Sequence, residues 1–143
     1  MLFCYYKGFS RAAAHTLYTA VVLAGRQGCT AADTGHLLLA MLQTAQGPAA
    51  DFLHRKHITE SALRTCVQAR SCTGQPRCLR RGDLAPEMRK AMEFAVLGAH
   101  AASAPKAENE HLLCAMLEDS ACTASAWLAS LGVEPQAVVA GIR

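Results

Sequence analysis

The chain has 143 residues, 52% of them apolar by type, and a formal charge of +3. This is too apolar for a disordered chain and long enough for one sizeable core or two small ones packed together. The basic residues are scattered except for "RCLRRGD" at 77–83, which leaves no nucleic-acid footprint, and no run of about 20 apolar residues offers a membrane span.

In chain order, the start "MLFCYYKGFS" lacks the apolar stretch and small-residue cleavage site of a secretory signal, so a cytoplasmic protein is expected. Ser10 can cap a long helix whose Leu17, Val21 and Ala24 share a face, with Gly25 and Gly28 ending it. Asp33 or Thr34 can cap a second helix carrying Leu37, Leu38, Met41 and Leu42. Pro48 suits the first turn of a short third helix with Phe52 and Leu53, and Thr59 can cap a fourth with Leu63 and Val67. The stretch "SCTGQPRCLRRGD" at 71–83 breaks the periodicity with Gly74, Pro76 and Gly82, as a linker does. Beyond it, Pro86 opens a fifth helix, Asn109 can cap the sixth, Gly132 follows the seventh and Pro135 starts the eighth. Nothing alternates like a strand, so the chain reads as all-α.

The two halves are copies. "TGHLLLAML" at 34–42 returns as "NEHLLCAML" at 109–117, an offset of 75 residues (His111 minus His36). The same offset carries Ala20, Val21 and Ala24 onto Ala95, Val96 and Ala99, and Phe52 onto Trp127, without a gap. Repeat 1 spans 9–70, the linker 71–83 and repeat 2 84–143. One four-helix unit buries too little apolar surface alone, so two tandem four-helix repeats are expected to pack as one pseudo-twofold eight-helix domain.

Seven cysteines, Cys4, Cys29, Cys66, Cys72, Cys78, Cys114 and Cys122, form an odd set that does not indicate disulfides. Cys66, Cys72 and Cys78 could be imagined as metal ligands, but their five-residue gaps lack the tight pairs that let two thiolates grip zinc. No metal or cofactor is therefore expected. No Gly-rich loop leads to Lys and Ser or Thr, so there is no phosphate cradle. "NEHLL" has half of a zinc-protease helix, but Ala115 stands where the second histidine would be, as Ala40 does after His36. No cysteine is singled out as an activated nucleophile, so no catalytic residues are expected. His36 and His111 read as structural groups that hydrogen-bond the neighbouring copy's backbone and pin the repeat interface.

The doubled phrase, together with the openings "FSRAAAHTL" and "LAPEMRKAM" and the "AADFL", "ASAWL" and "LGVEPQAV" segments, resembles the Clp N-terminal domain over residues 9 to 142. That family is a tandem of four-helix repeats. The resemblance implies a protein-binding module of ClpA- or ClpC-type unfoldases, which recruits adaptors and protein substrates for an ATP-driven ring that feeds a protease. The AAA+ ATPase modules would be partners within a longer chain. The alternative is a free-standing interaction or regulatory protein without an ATPase. In isolation the piece would be a monomer.

Some ClpC-type members resemble receptors for phosphorylated arginine, with a Glu before the motif His and a Thr in the opening of each repeat. Carried onto this chain, the Glu positions are Gly35 and Glu110, and the Thr positions are Ser10 and Ala85. Each repeat has lost one element, so the resemblance implies a ligand site only where Ser10 and Glu110 meet across the pseudo-twofold axis. Glu110 as a helix-dipole partner and Ser10 as a plain N-cap are the competing structural readings. A thiol sensor built on Cys72 and Cys78 is a reading from a different class.

Overall fold

Ser10 decides where the first helix begins. Its hydroxyl accepts from the Ala13 amide at 3.1 Å while its backbone stays extended, so α1 runs Arg11–Arg26. Gln27 caps its end and Gly28 follows at φ +75°. The computed structural model describes residues 6–44, 47–69 and 74–142. Among them, α2 spans Thr34–Thr44, α3 Pro48–Arg55, α4 Arg64–Ala69, α5 Pro86–Ala101, α6 Asn109–Leu117, α7 Thr123–Ser130 and α8 Pro135–Ile142. The expected all-α architecture of eight helices is what forms.

Two expected boundaries shift for physical reasons. Thr59 does accept from the Ala62 amide at 3.2 Å, but residues 60–63 make turns and α4 proper begins only at Arg64. At α6 the cap is Glu108, not Asn109, which sits buried inside the first turn.

The repeats interlock. Within each, the first helix packs on the second, α1 on α2 and α5 on α6. Across the repeats the third helix of one packs on the second helix of the other, α7 on α2 and α3 on α6. Two isolated bridges tie the openings crosswise, Phe9 to Ala107 and Leu84 to Ala32. Both members of the second bridge are those of the first offset by the repeat period, since 9 plus 75 is 84 and 32 plus 75 is 107. Ser10 N donates to Ala107 O at 3.0 Å, and Ala85 N to Ala32 O at 2.7 Å. Leu17, Leu37, Leu38, Met41 and Leu53 share one core with Met88, Leu112, Leu113, Met116 and Leu128 from the other copy. The pseudo-twofold domain thus buries apolar faces that neither repeat could cover by itself.

The histidines do a different job from the one expected. The Asp33 amide donates to His36 Nδ1 at 3.2 Å, and Nε2 lies 3.0 Å from Gln27 Oε1. His36 therefore joins the start of α2 to the end of α1 within its own repeat. His111 Nδ1 likewise accepts from Glu108 N at 2.8 Å. A side chain at the third helical position reaches its own N-cap more readily than a neighbouring chain segment.

Among the described cysteines, Cys66, Cys78 and Cys122 are free thiols, but Cys29 is disulfide-bonded. This corrects the expectation of free thiols throughout. Counting cysteines does not reveal which pairs the fold brings together.

Candidate functional site

The crosswise bridges set the geometry of both candidate ligand positions. Because Ser10 is bonded to Ala107, the opening of α1 lies against the segment that enters α6, three residues before Glu110. The Ser10 hydroxyl is used to cap α1, and only its backbone N–H reaches the segment that enters α6. Glu110 lies in the first turn of α6 and lines a cavity of about 310 Å³ with Phe94, Gly98, His111, Cys114 and Ile142. Ser10 is not among the residues lining that cavity.

The other entry cluster, where α5 begins against α2, is filled by the protein itself. Glu87, in the first turn of α5, carries its carboxylate to the starts of two helices of opposite repeats. It accepts from Thr34 N at 2.9 Å and from the Thr34 hydroxyl, both at the start of α2. At the start of α7 it accepts from Thr123 N and Thr123 Oγ1, each at 3.2 Å. The Thr34 hydroxyl in turn accepts from Ala124 N at 3.0 Å. Two helix starts share one carboxylate, which the helix dipoles favour.

Gly35 completes the closure. A Cβ there would lie 2.8 Å from the Trp127 ring and 3.0 Å from Thr123 Cγ2, closer than real side chains approach. The glutamate that the family wording places at this position has no room. Trp127, only 8% exposed, occupies the space instead.

The pseudo-equivalent cluster lacks this filling. Position 87 corresponds to Ala12 and position 123 to Pro48, so the carboxylate and one N–H are both missing. Asn109, which corresponds to Thr34, keeps a buried Oδ1 with no hydrogen-bond partner. The two clusters, alike in backbone, therefore differ in chemistry: Glu87 bridges two helix starts in one, whereas in the other Ala12 stands at that place and Glu108 caps α6. Sequence reasoning passed over Glu87 because a first-turn acid after Pro86 looks like ordinary helix capping. Comparing Glu87 with Ala12 at the repeat offset was the signal available.

A larger depression lies on the outer side of α5. It measures about 960 Å³, with Tyr6, Phe9, Leu84, Met92, Val96 and Leu97 on its floor and walls. Lys7, Arg81, Arg89 and Lys90 stand around it with a single acid, Glu93. Gly8, at φ +90°, makes the turn that lays residues 6–9 against α5, where a Cβ would press on Val96 at 3.2 Å. Arg89 braces the wall by donating to Leu84 O at 3.2 Å and Gly82 O at 2.6 Å. On the groove's lining Leu97 is 62% exposed, while Phe94, 46% exposed, lines the cavity it shares with Glu110.

Other chemistry is sparse. Among the described residues no group of three or more His, Cys, Asp and Glu side chains is placed to hold a metal, and no helix is long and apolar enough to cross a membrane. Of the linker thiol pair, Cys78 is exposed and free, while Cys72 lies outside the described residues.

Residues 8–78 match the Clp repeat (R) N-terminal domain family. No curated protein sequence matches the chain. Among solved structures, the chain is similar to the N-terminal domain of the caseinolytic protease associated chaperone ClpD from Arabidopsis thaliana. The TM-score is 0.77 at 18% identity, over 96% of this chain and 93% of that one. It is also similar to the N-terminal domain of the ClpV1 ATPase from E. coli, with TM-score 0.67 and 20% identity over 92% of this chain and 82% of that one. A structure from a malarial protein secretion system gives 0.72 at 14% identity, over 94% and 92%. At these identities the likeness to solved structures is one of fold.

Proposed function

We propose, on the premise that residues 8–78 belong to the Clp repeat N-terminal domain family and that the whole chain has its fold, that this protein recruits adaptors or protein substrates to a Clp-type ATP-dependent chaperone or protease in the cytoplasm. In Clp ATPases this fold is a non-catalytic interaction module. The observation that carries the reading is the apolar surface of α5, where Leu97 stands exposed on the groove and Phe94 stands exposed over the smaller cavities of the other side. Large apolar side chains left in water beside a concave surface are the mark of a protein contact rather than of a core.

The test is retention of adaptor and substrate proteins of a Clp system on the immobilised wild type, compared with Leu97→Ser and Phe94→Ser. Both positions are exposed, so the variants keep the fold. Loss of client and adaptor retention in the variants supports the proposal; equal retention by all three proteins overturns the assignment to α5. Added in trans, a free-standing regulator would alter degradation by an intact unfoldase without carrying clients itself.

A second reading, phosphoarginine recognition, is favoured at one cluster only. Glu87 and Trp127 close the Gly35 side, whereas at the α6 entry Ala12 stands where Glu87 does, Glu108 caps the helix and Glu110 follows in its first turn. There Glu110 would pair with the guanidinium, and N–H groups at the helix start would meet the phosphate. Amide shifts around Ser10 and Glu110 on adding phosphoarginine, absent in Glu110→Ala, support it. Unchanged spectra at millimolar ligand overturn it.

A further inference from the structure

We infer that the groove beside α5 takes an acidic amphipathic segment, an apolar stripe flanked by Asp or Glu, and therefore that it selects among protein partners by charge. The inference rests on the protein-binding reading above and sharpens it to a partner chemistry.

Two features of the groove point the same way. Its interior is apolar, with Tyr6 and Phe9 buried beneath and Leu84, Met92 and Val96 half-buried along the walls, so it can take apolar side chains out of water. Its surround is basic. Lys7 comes from the opening turn, Arg81 from the linker, and Arg89 and Lys90 from the first half of α5, against Glu93 alone. The formal balance of these five side chains is 4 − 1 = +3, equal to the net charge of the entire chain. The groove's lining is therefore net positive where its apolar surface is open.

The arms of α5 divide by sign as well. On the opposite side of the helix, the cavity of about 210 Å³ is lined by Glu87, Glu118 and Asp119 with Lys90, and the 310 Å³ cavity by Glu110 and Glu118. An acidic segment is repelled from that side and attracted to the groove, which fixes both its placement and its orientation. The exposed ridge of Leu97 at the groove edge supplies an apolar anchor next to the cations. Apolar contact supplies affinity and the charged rim supplies selectivity and encounter rate.

The probe is a synthetic helix-forming peptide of about 14 residues with Leu at helical spacing and Glu between. Its control has Lys in place of each Glu and the same leucines. Both are titrated into the full chain, isotopically labelled, and followed by NMR. The acidic peptide is expected to shift Lys7, Leu84, Lys90, Val96 and Leu97, and to bind at least about tenfold more tightly than the basic control at low salt. The double charge reversal Arg81→Glu with Lys90→Glu is expected to weaken it about tenfold and to flatten its salt dependence.

Equal binding of both peptides at the groove would overturn the charge assignment while leaving the protein-binding reading intact. Shifts mapped to the acidic side of α5, or no binding by either peptide, would overturn the inference. The retention assay with client proteins then decides separately whether the broader reading falls. Concentration-dependent dimerisation that the acidic peptide cannot displace would assign the groove to a second copy. Much tighter peptide binding after removal of residues 1–5 would assign it to the chain's own first residues. Either result overturns the inference.

Discussion

Replacing Glu87 tests the view that one side chain holds the two repeats in register. In Glu87→Ala, Thr34 N, Thr34 Oγ1, Thr123 N and Thr123 Oγ1 lose their acceptor together. Thr34 is fully buried, so its groups cannot turn to water, whereas the Thr123 end is more open to it. A hydrogen bond to a charged group contributes about 1.5–3 kcal/mol, and a buried group left unsatisfied costs about 1–3 kcal/mol. Because Glu87 itself is only partly buried, solvent screening cuts the sum well below simple addition, to a loss of about 2–3 kcal/mol. Glu87→Gln keeps an acceptor oxygen in place and loses mainly the charge at two helix starts, a loss of about 1 kcal/mol. At this chain length the alanine variant should melt about 6–10 °C lower. The assay is urea unfolding at neutral pH, with midpoints compared at unchanged slope. Alanine and glutamine variants both within about 0.5 kcal/mol of wild type would refute the reasoning, because the carboxylate would then be a solvated first-turn acid and no more.

Three further outcomes follow from the same geometry. Gly35→Glu should destabilise by about 2–3 kcal/mol and shift the emission of Trp127, the chain's one tryptophan, to the red as the ring is displaced; wild-type stability and emission would mean that the position is open to a larger side chain. Burial pushes the Tyr6 phenol up from 10.0 to about 12, against a partly opposing attraction from Arg81. The folded chain then holds that proton more tightly, so stability falls as pH rises between these values, by up to about 2 kcal/mol, and Tyr6→Phe should remove that part of the alkaline loss. In native thiol titration, exposed Cys78 should react first and buried Cys122, whose thiol donates to Met116 O at 3.0 Å, last or only on unfolding; the reverse order would contradict the described packing.

The sequence by itself determined the all-α class, the repeat and most helix starts, because these depend on local chemistry. Ser10, Pro48, Pro86 and Pro135 act on the backbone within a turn of themselves, and the 75-residue echo is visible without coordinates. The sixth helix start was misplaced by one residue, because Glu108 and Asn109 can both cap and only the packed chain shows which one faces the helix and which enters the core. The histidines were recognised as structural but assigned the wrong partner, since periodicity places a ring on a face without saying what the fold brings to it. What only the tertiary structure decided was the difference between the two halves. The crossed bridges place α5 against the starts of α2 and α7, where Glu87 and Trp127 fill one entry, while Ala12 and Pro48 stand at the matching positions in the other copy. Local sequence specifies a helix through contacts three or four residues apart, but these pairs are separated by 36 to 92 residues, and only the close packing of two interlocked repeats brings such distant groups within bonding reach.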